Sequence, residues 1–445
     1  MTPNKKSGCI KIIRSSLFIP MILLSCCNKP IADFEANTTS PKAGANVKLT
    51  DMSDNEPDTW EWELSPENFE YQDGTGSGSQ DPVVLFSAVG SYTVTLTVSN
   101  SAGTDTETKK DYITVLNDHS PIVVVHSPGL EDNLLGDSPD REVRVYLPPD
   151  YFDNTSKHYP VIYLLHGYFA DHNIWYDGLN DIEMDIETAL NTLIQEGVIE
   201  PMIVVAPDSY NRYFGSMYTN SSTAGQWEDF ITEDVVHYTD DHFRTIPERG
   251  SRGIGGHSMG GCGAIRIAMK HPELFSVLYA GSPGIICFED VFFGYQKQYM
   301  ITASQLESLT RAGMYELGPH AGEIASCAAC APAFAPNPNV PPFYGDFPVT
   351  ADGQKIDSTW QRWLEHDPYV MLPVYQNNLK QLNAILFDCG DADEFLVINE
   401  KFSQALTGYG VTHTFQEFIG NHTYRVQERI SGTGFPFFSD HLVHE

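Results

Sequence analysis

The chain has 445 residues, enough for two or three domains that each bury a substantial core. Its 26 Lys and Arg against 59 Asp and Glu leave a formal charge of −33, which argues against nucleic acid, an anionic membrane surface or a strongly acidic polysaccharide as partner. Neutral or weakly charged ligands suit that balance, although high net charge is also a common device for solubility.

At the N-terminus, Lys5, Lys6, Lys11 and Arg14 precede the apolar stretch Leu17 to Leu24 and then Ser25-Cys26-Cys27. A basic start and an apolar run too short to span a bilayer predict an export signal over residues 1–25. Leu23-Leu24-Ser25-Cys26 resembles a bacterial lipobox, which implies cleavage before Cys26 and lipid modification of that cysteine. The expectation is an exported protein tethered to the membrane by lipid, at the outer membrane, the cell surface or in the periplasm. A plain secretory signal with a fortuitous cysteine pair is the alternative.

Residues 31–116 form a β-rich unit between Pro30 and the polar linker Asn117-Asp118-His119-Ser120-Pro121. Alternation from Gly90 to Val98 places Tyr92, Val94, Leu96 and Val98 on one face and the threonines on the other. Together with Trp60-Glu61-Trp62, Asp81-Pro82, Ser101-Ala102-Gly103 and Asp111 to Val115 (DYITV), this stretch resembles a PKD domain. The resemblance implies a small immunoglobulin-like β-sandwich, serving as a spacer or as a weak glycan-contacting surface.

Pro160 to Gly167 (PVIYLLHG) opens the larger unit as a continuous apolar strand that ends in an open loop. Further on, Gly256-His257-Ser258-Met259-Gly260 lies between the short apolar segment Gly253 to Gly255 and a helix-like run, Gly261 to Lys270. A serine on so sharp a strand-to-helix turn needs neighbours without bulk two positions to either side, since a Cβ there would push the helix off the strand. Gly256 and Gly260 leave both gaps. The turn also aims the free N–H groups of the helix start at whatever Ser258 attacks. The backbone N–H groups of Met259 and of Tyr168, in the loop after the first strand, are the expected oxyanion donors. A glycine-rich turn without chemistry would carry the same residues, so the assignment depends on partners downstream. Ser282, in Ala280-Gly281-Ser282-Pro283-Gly284, is the nearest rival nucleophile, but Pro283 and Gly284 suit a loop better than an opening helix.

Asn383 to Asp388 reads as a buried strand running into the carboxylate-rich loop Cys389 to Phe395, and Val397 to Leu406 as a helix. Thr412 to Ile419 then alternates like a further strand and delivers His422 on a loop beside the acidic one. A histidine there can take the proton of Ser258 and return it to a leaving group near neutral pH, and an adjacent acid would fix its tautomer. His413, His441 and His444 have no such placement. The order Ser, Asp, His is the one that belongs to this strand–turn–helix layout.

Arg141 to Tyr151 (REVRVYLPPDY), Tyr159 to Gly167, Met202 to Ser209 (MIVVAPDS), Tyr218 to Phe230 and the Ser258 turn through His271-Pro272 jointly resemble the esterase family that includes feruloyl and acetylxylan esterases, esterase D and the mycolyltransferases. That resemblance implies an α/β-hydrolase fold over residues 121–445, a mostly parallel sheet with helices on both faces. It also places the acid at the last position of Gly390-Asp391-Ala392-Asp393, selecting Asp393 over Asp391. The interval 284–380 is longer than in many relatives and reads as an insertion.

Tyr168, Trp175, Tyr213, Phe214, Tyr218 and Trp227 lie in loops after the strands that flank the presumed site, and Trp175, Tyr218 and Trp227 are the expected substrate-binding side chains. Cys327-Ala328-Ala329-Cys330 has metal-like spacing but no second Cys or His pair, so neither metal nor cofactor is expected. The five cysteines of this half, Cys262, Cys287, Cys327, Cys330 and Cys389, are odd in number and leave at least one unpaired within it. The whole predicts an exported serine esterase cleaving feruloyl or acetyl groups from plant cell-wall polysaccharide or oligosaccharide. The alternatives are an acyltransferase or a siderophore or thioester hydrolase of the same fold, and a glycan-binding scaffold with a silent hydrolase domain.

Overall fold

The computed structural model describes residues 28–178 and 184–445, so the expected export signal and Cys26 lie outside the described residues. The chain divides into two compact units, one ending at Asp118 and the other spanning His119–Glu445.

The first unit is a two-sheet antiparallel sandwich. One sheet orders Phe34–Ala36, Asn46–Asp51, Val83–Phe86 and Phe69–Gln72; the other orders Thr59–Ser65, Gly90–Asn100 and Gly103–Val115. Tyr92, Val94, Leu96 and Val98 are fully buried between the sheets. On the opposite face, Thr95 and Thr97 pair across the strands with Thr108 and Thr106 at 3.0 Å each. Period-two patterning thus sorts one strand into a core face and a solvent face.

The second unit is built on an eight-stranded sheet in the order Thr414–Phe418, Ala384–Gly390, Val277–Gly281, Arg252–His257, Val161–Leu165, Ile203–Pro207, Asp140–Tyr146 and Ile122–His126. The first six run parallel; the last two are antiparallel additions at one edge. Val161–Leu165 is buried at every position, with Tyr163 and Leu165 in the core on one face and Ile162 and Leu164 in a second core on the other. A sheet covered by helices on both faces demands such unbroken apolar strands, which is why they read as runs rather than alternations.

Glycine shapes the central strand Arg252–His257. The ring of Phe438, from the C-terminal helix Phe435–His441, lies so close that a Cβ on Gly253 would fall 2.6 Å from it. At the turn, Ser258 adopts φ 58° and ψ −117° and leads directly into the helix Met259–Lys270. A Cβ on either Gly256 or Gly260 would collide with the Leu165 carbonyl on the neighbouring strand. The segment 284–380 carries the helices Lys297–Ser304, Ala321–Phe334, Asp357–Leu364 and Pro368–Leu379, and it joins the main core rather than standing apart. Ser221 Oγ donates to the Pro332 carbonyl at 2.6 Å and Tyr213 Oη to the Pro342 carbonyl at 2.6 Å.

Because the overlap at Gly260 is with backbone, which has no rotamer to yield, Gly260→Ala is expected to cost about 1–3 kcal/mol of folding free energy by chemical denaturation. An alanine variant as stable as the parent would mean that the turn is not held against Leu165.

Candidate active site

The turn presents Ser258 at the end of the sheet where two other loops converge. Its Oγ lies 2.8 Å from Nε2 of His422, and Nδ1 of His422 lies 3.0 Å from Oδ2 of Asp393. The partners fix the tautomer: Nδ1–H donates to the carboxylate, and Nε2 accepts from the hydroxyl. The Asp393 side chain is fully shielded from solvent, and the Phe395 N–H donates to its Oδ1 at 2.9 Å. Burial alone would raise the Asp393 carboxyl, but the hydrogen bond and charge of His422, with the Phe395 N–H, outweigh it and hold the group below its ordinary value. A carboxylate so placed stays ionised and stabilises any positive charge that develops on the ring.

Backbone pairing keeps the two loops together. Asp391 N–H donates to the Phe418 carbonyl at 2.8 Å and Ala392 N–H to the Gly420 carbonyl at 3.0 Å. Asp391, the rival acid, accepts the Gly420 N–H on Oδ1 at 2.9 Å, so its carboxylate ties down the loop that carries His422 without touching the imidazole.

His257 is a contact that the sequence pattern does not announce, since it occupies a freely variable position beside Ser258. Its Nε2–H donates to the His422 carbonyl at 2.9 Å, with the two rings 4.9 Å apart. Burial, followed by the nearby charges of His422 and Arg429, holds this imidazole well below its ordinary value, so it remains a neutral donor.

The rival candidates are engaged elsewhere. Ser282 is buried beneath the site, where its N–H donates to the Asp388 carbonyl at 2.9 Å and its Oγ accepts from Arg429 at 3.3 Å. Arg429 and Tyr279 both donate to the Asp388 carboxylate at 2.7 Å, forming a buried polar brace under the loops. His413 bonds Ser403 at 2.8 Å, while His441 and His444 bond the Phe437 and Ser439 carbonyls.

Among the described residues, neither the Met259 nor the Tyr168 N–H is taken by another protein group. The loop bearing Tyr168 is pinned from behind: its Oη donates to the Tyr213 carbonyl at 2.7 Å, and the next residue, Phe169 at φ 67°, donates its N–H to the Phe214 carbonyl at 3.0 Å. His166 anchors the start of that loop, with Nδ1–H donating to the Gly167 carbonyl at 2.8 Å and Nε2 accepting the Ser209 N–H at 2.8 Å.

A cavity of about 110 Å³ opens beside Ser258 and His422, walled by Tyr168, Ile174, Trp175, Met184 and Val426. Of the aromatic side chains expected to meet substrate, Trp175 therefore lies at the cavity, but Tyr218 and Trp227 do not. Both are 0 % exposed. Tyr218 fills the space above Gly263, where a Cβ would fall 2.6 Å from its ring, and its Oη donates to the His166 carbonyl at 2.9 Å. Trp227 donates Nε1–H to the Ala224 carbonyl at 2.7 Å and carries the Arg141 guanidinium 5.2 Å from its ring centre. Their position on loops suggested exposure; the loops fold inward and spend these rings on the core. Tyr213 and Phe214 are buried likewise. Cys262, Cys287, Cys327, Cys330 and Cys389 are all buried free thiols, and no cluster with metal-ligand spacing occurs among the described residues.

Residues 138–428 match the model of the family described as Putative esterase, which is well over half of the chain. The chain belongs to this esterase family. Residues 27–115 match a PKD domain model. Among curated proteins, this esterase-family chain is 28 % identical over 134 residues to an endo-1,4-beta-xylanase/feruloyl esterase of Xylanibacter ruminicola, covering 29 % of this chain and 18 % of that protein. It is 32 % identical over 136 residues to an esterase of Mycobacterium tuberculosis, covering 29 % of this chain and 26 % of the relative. The alignments thus span only about a fifth to a quarter of those relatives' lengths. A solved ferulic acid esterase is 22 % identical with a TM-score of 0.46, over 72 % of this chain and 98 % of its own.

Burial pushes the His166 imidazole down to about 4 from its ordinary 6.5, against its hydrogen bond to Gly167. An unfolded chain takes up a proton near pH 6.5 that the folded esterase-family protein refuses until about pH 4. The His166 contribution to stability is therefore complete above pH 6.5 and is lost as the pH falls toward 4. Melting temperatures are expected to decline over that window, and less steeply in His166→Gln, whose amide can donate to Gly167 and accept from Ser209 without titrating. Identical slopes for the two proteins would contradict this account of His166.

Proposed function

We propose that this protein is an exported serine esterase that removes acyl groups from plant cell-wall glycan. The observation that carries the reading is the hydrogen-bonded series Ser258–His422–Asp393 at the mouth of a cavity. In the proposed reaction His422 takes the Ser258 proton as Oγ attacks the ester carbonyl, and Asp393 steadies the imidazolium. The Met259 and Tyr168 N–H groups receive the oxyanion. His422 then protonates the departing sugar alcohol, and water, activated by the same ring, releases the acid from the acyl-enzyme. His257 and Asp391 act through His422 by holding its loop.

A hydroxycinnamoyl group is favoured over acetyl by the apolar cavity walls, Ile174, Trp175, Met184 and Val426, which offer an aromatic acyl group more burial than an acetyl methyl can use. The name of the Xylanibacter relative, a xylanase joined to a feruloyl esterase, supports the same choice. The export signal and the lipid anchor at Cys26 remain part of the proposal on the strength of the N-terminal pattern.

On methyl ferulate, Ser258→Ala and His422→Ala are expected to lower kcat by on the order of 10⁴- to 10⁶-fold, with the double variant little worse than either single one. Asp393→Asn is expected to cost on the order of 10⁴-fold; Asp391→Asn should cost far less, and the reverse ranking would move the acid to Asp391. In a panel of esters, a higher kcat/KM on acetylated xylo-oligosaccharides than on feruloylated arabinoxylan fragments would overturn the acyl assignment. For the anchor, Cys26→Ala is expected to move the protein from the membrane to the soluble fraction, and unchanged retention would refute lipidation there.

A further inference from the structure

Two further cavities lie near the one beside Ser258. Ala170 and Ile174 are shared with a second cavity of about 270 Å³, and Phe169 and Arg311 of that one are shared with a third of about 280 Å³. The second cavity therefore adjoins the one at the nucleophile across Ala170 and Ile174, and it is lined on its far side by Arg311 of the inserted segment 284–380.

The chemistry changes from the first cavity to the second. The second cavity is lined by Asp171, whose Oδ1 accepts the Asn173 N–H at 2.8 Å, by Arg311, and by the half-buried Phe169 and Tyr210. Asp208 also faces it, but its carboxylate is taken by Arg141 at 2.5 Å. Arg311, an exposed residue, hydrogen-bonds the Tyr210 hydroxyl and has no ion-pair partner among the described residues. One acceptor group, one donor group and two aromatic faces around a space this size suit a ring with hydroxyls on its rim and C–H bonds on its faces. The charges of Asp171 and Arg311 balance within the cavity, and the chain around them is strongly acidic, so an anionic ligand gains nothing there.

We propose that this second cavity is the subsite for a neutral sugar residue in the alcohol part of the ester, with Asp171 and Arg311 hydrogen-bonding its hydroxyls and Phe169 and Tyr210 covering its faces. The inference rests on the glycan-esterase reading and adds where the glycan lies. It also gives the insertion a role, because Arg311 is the residue of 284–380 that lines this cavity.

Two measurements separate this proposal from that reading. In calorimetry with Ser258→Ala protein and unesterified arabinoxylotriose, which needs no turnover, the further change Arg311→Ala or Tyr210→Ala is expected to weaken binding about tenfold. In turnover, Arg311→Ala should lower kcat/KM on a feruloylated arabinoxylo-oligosaccharide about tenfold more than on methyl ferulate, which has no sugar. Arg311 is exposed, so matching melting curves will show that the variant is folded. Equal losses on both esters, unchanged oligosaccharide binding, or tighter binding of a uronic-acid oligosaccharide than of the neutral one would overturn the subsite. Absence of any ester turnover together with intact, Arg311-dependent sugar binding would instead remove the esterase reading and leave a sugar site.

Discussion

Ser258 depends on a contact with no side chain in it: Gly256 and Gly260 lie against the Leu165 carbonyl of the adjoining strand. That closeness lets the chain reverse from strand to helix within one residue and holds Ser258 at a positive φ that most side chains avoid. Such a conformation costs on the order of 1–3 kcal/mol and persists only where surrounding packing leaves no alternative. Here the packing is the parallel sheet itself, since Ser258 N–H is also fixed to the Gly281 carbonyl of the next strand at 2.9 Å. The strain sits at the one residue whose hydroxyl must stand clear of the fold.

Everything else at the site is organised around keeping an imidazole within reach of that hydroxyl. His422 is on an irregular loop, the least rigid kind of support, and three neighbours compensate. Asp393 orients the ring, Asp391 ties the backbone at Gly420, and His257 holds the His422 carbonyl. Below them the buried Arg429–Asp388 pair joins the C-terminal helices to the strand from which the acid loop springs. A buried pair of this kind adds little net stability, but breaking one partner is costly, which makes it suited to fixing position. Burial holds the His257 and His166 imidazoles below their ordinary values, so both support the loops as neutral rings near neutral pH.

Much of this arrangement was legible in the residues, for identifiable reasons. Glycines two positions to either side of a serine, between an apolar strand and a helix-like run, are demanded by a turn this sharp, and the observed turn is tighter than the expected one, with the strand running to His257 and the helix starting at Met259. The apolar runs Pro160 to Gly167 and Asn383 to Asp388 marked the strands Val161–Leu165 and Ala384–Gly390, the second of which runs two residues further than expected, because a sheet buried on both faces favours such runs. The function of His257 was not legible, because the motif leaves its position open and its partner is a backbone carbonyl 165 residues away. Tyr218 and Trp227 misled for a different reason: sequence shows that a residue is on a loop, not whether the loop turns its side chain inward. Gly263, which makes room for Tyr218, is the only trace of that inward packing in the sequence, and it looks like any helical glycine. The inserted segment 284–380 was visible as excess length, whereas the place of Arg311 in a cavity with Asp171 and Tyr210 required the fold.

Covalent labelling reports on whether Ser258 is a nucleophile activated by His422 without assuming a substrate. A fluorophosphonate should form a one-to-one adduct that peptide mass mapping assigns to Ser258, with a rate that falls by orders of magnitude in His422→Ala. A label on Ser282 or any other residue, or labelling of Ser258 that is indifferent to His422, would contradict it.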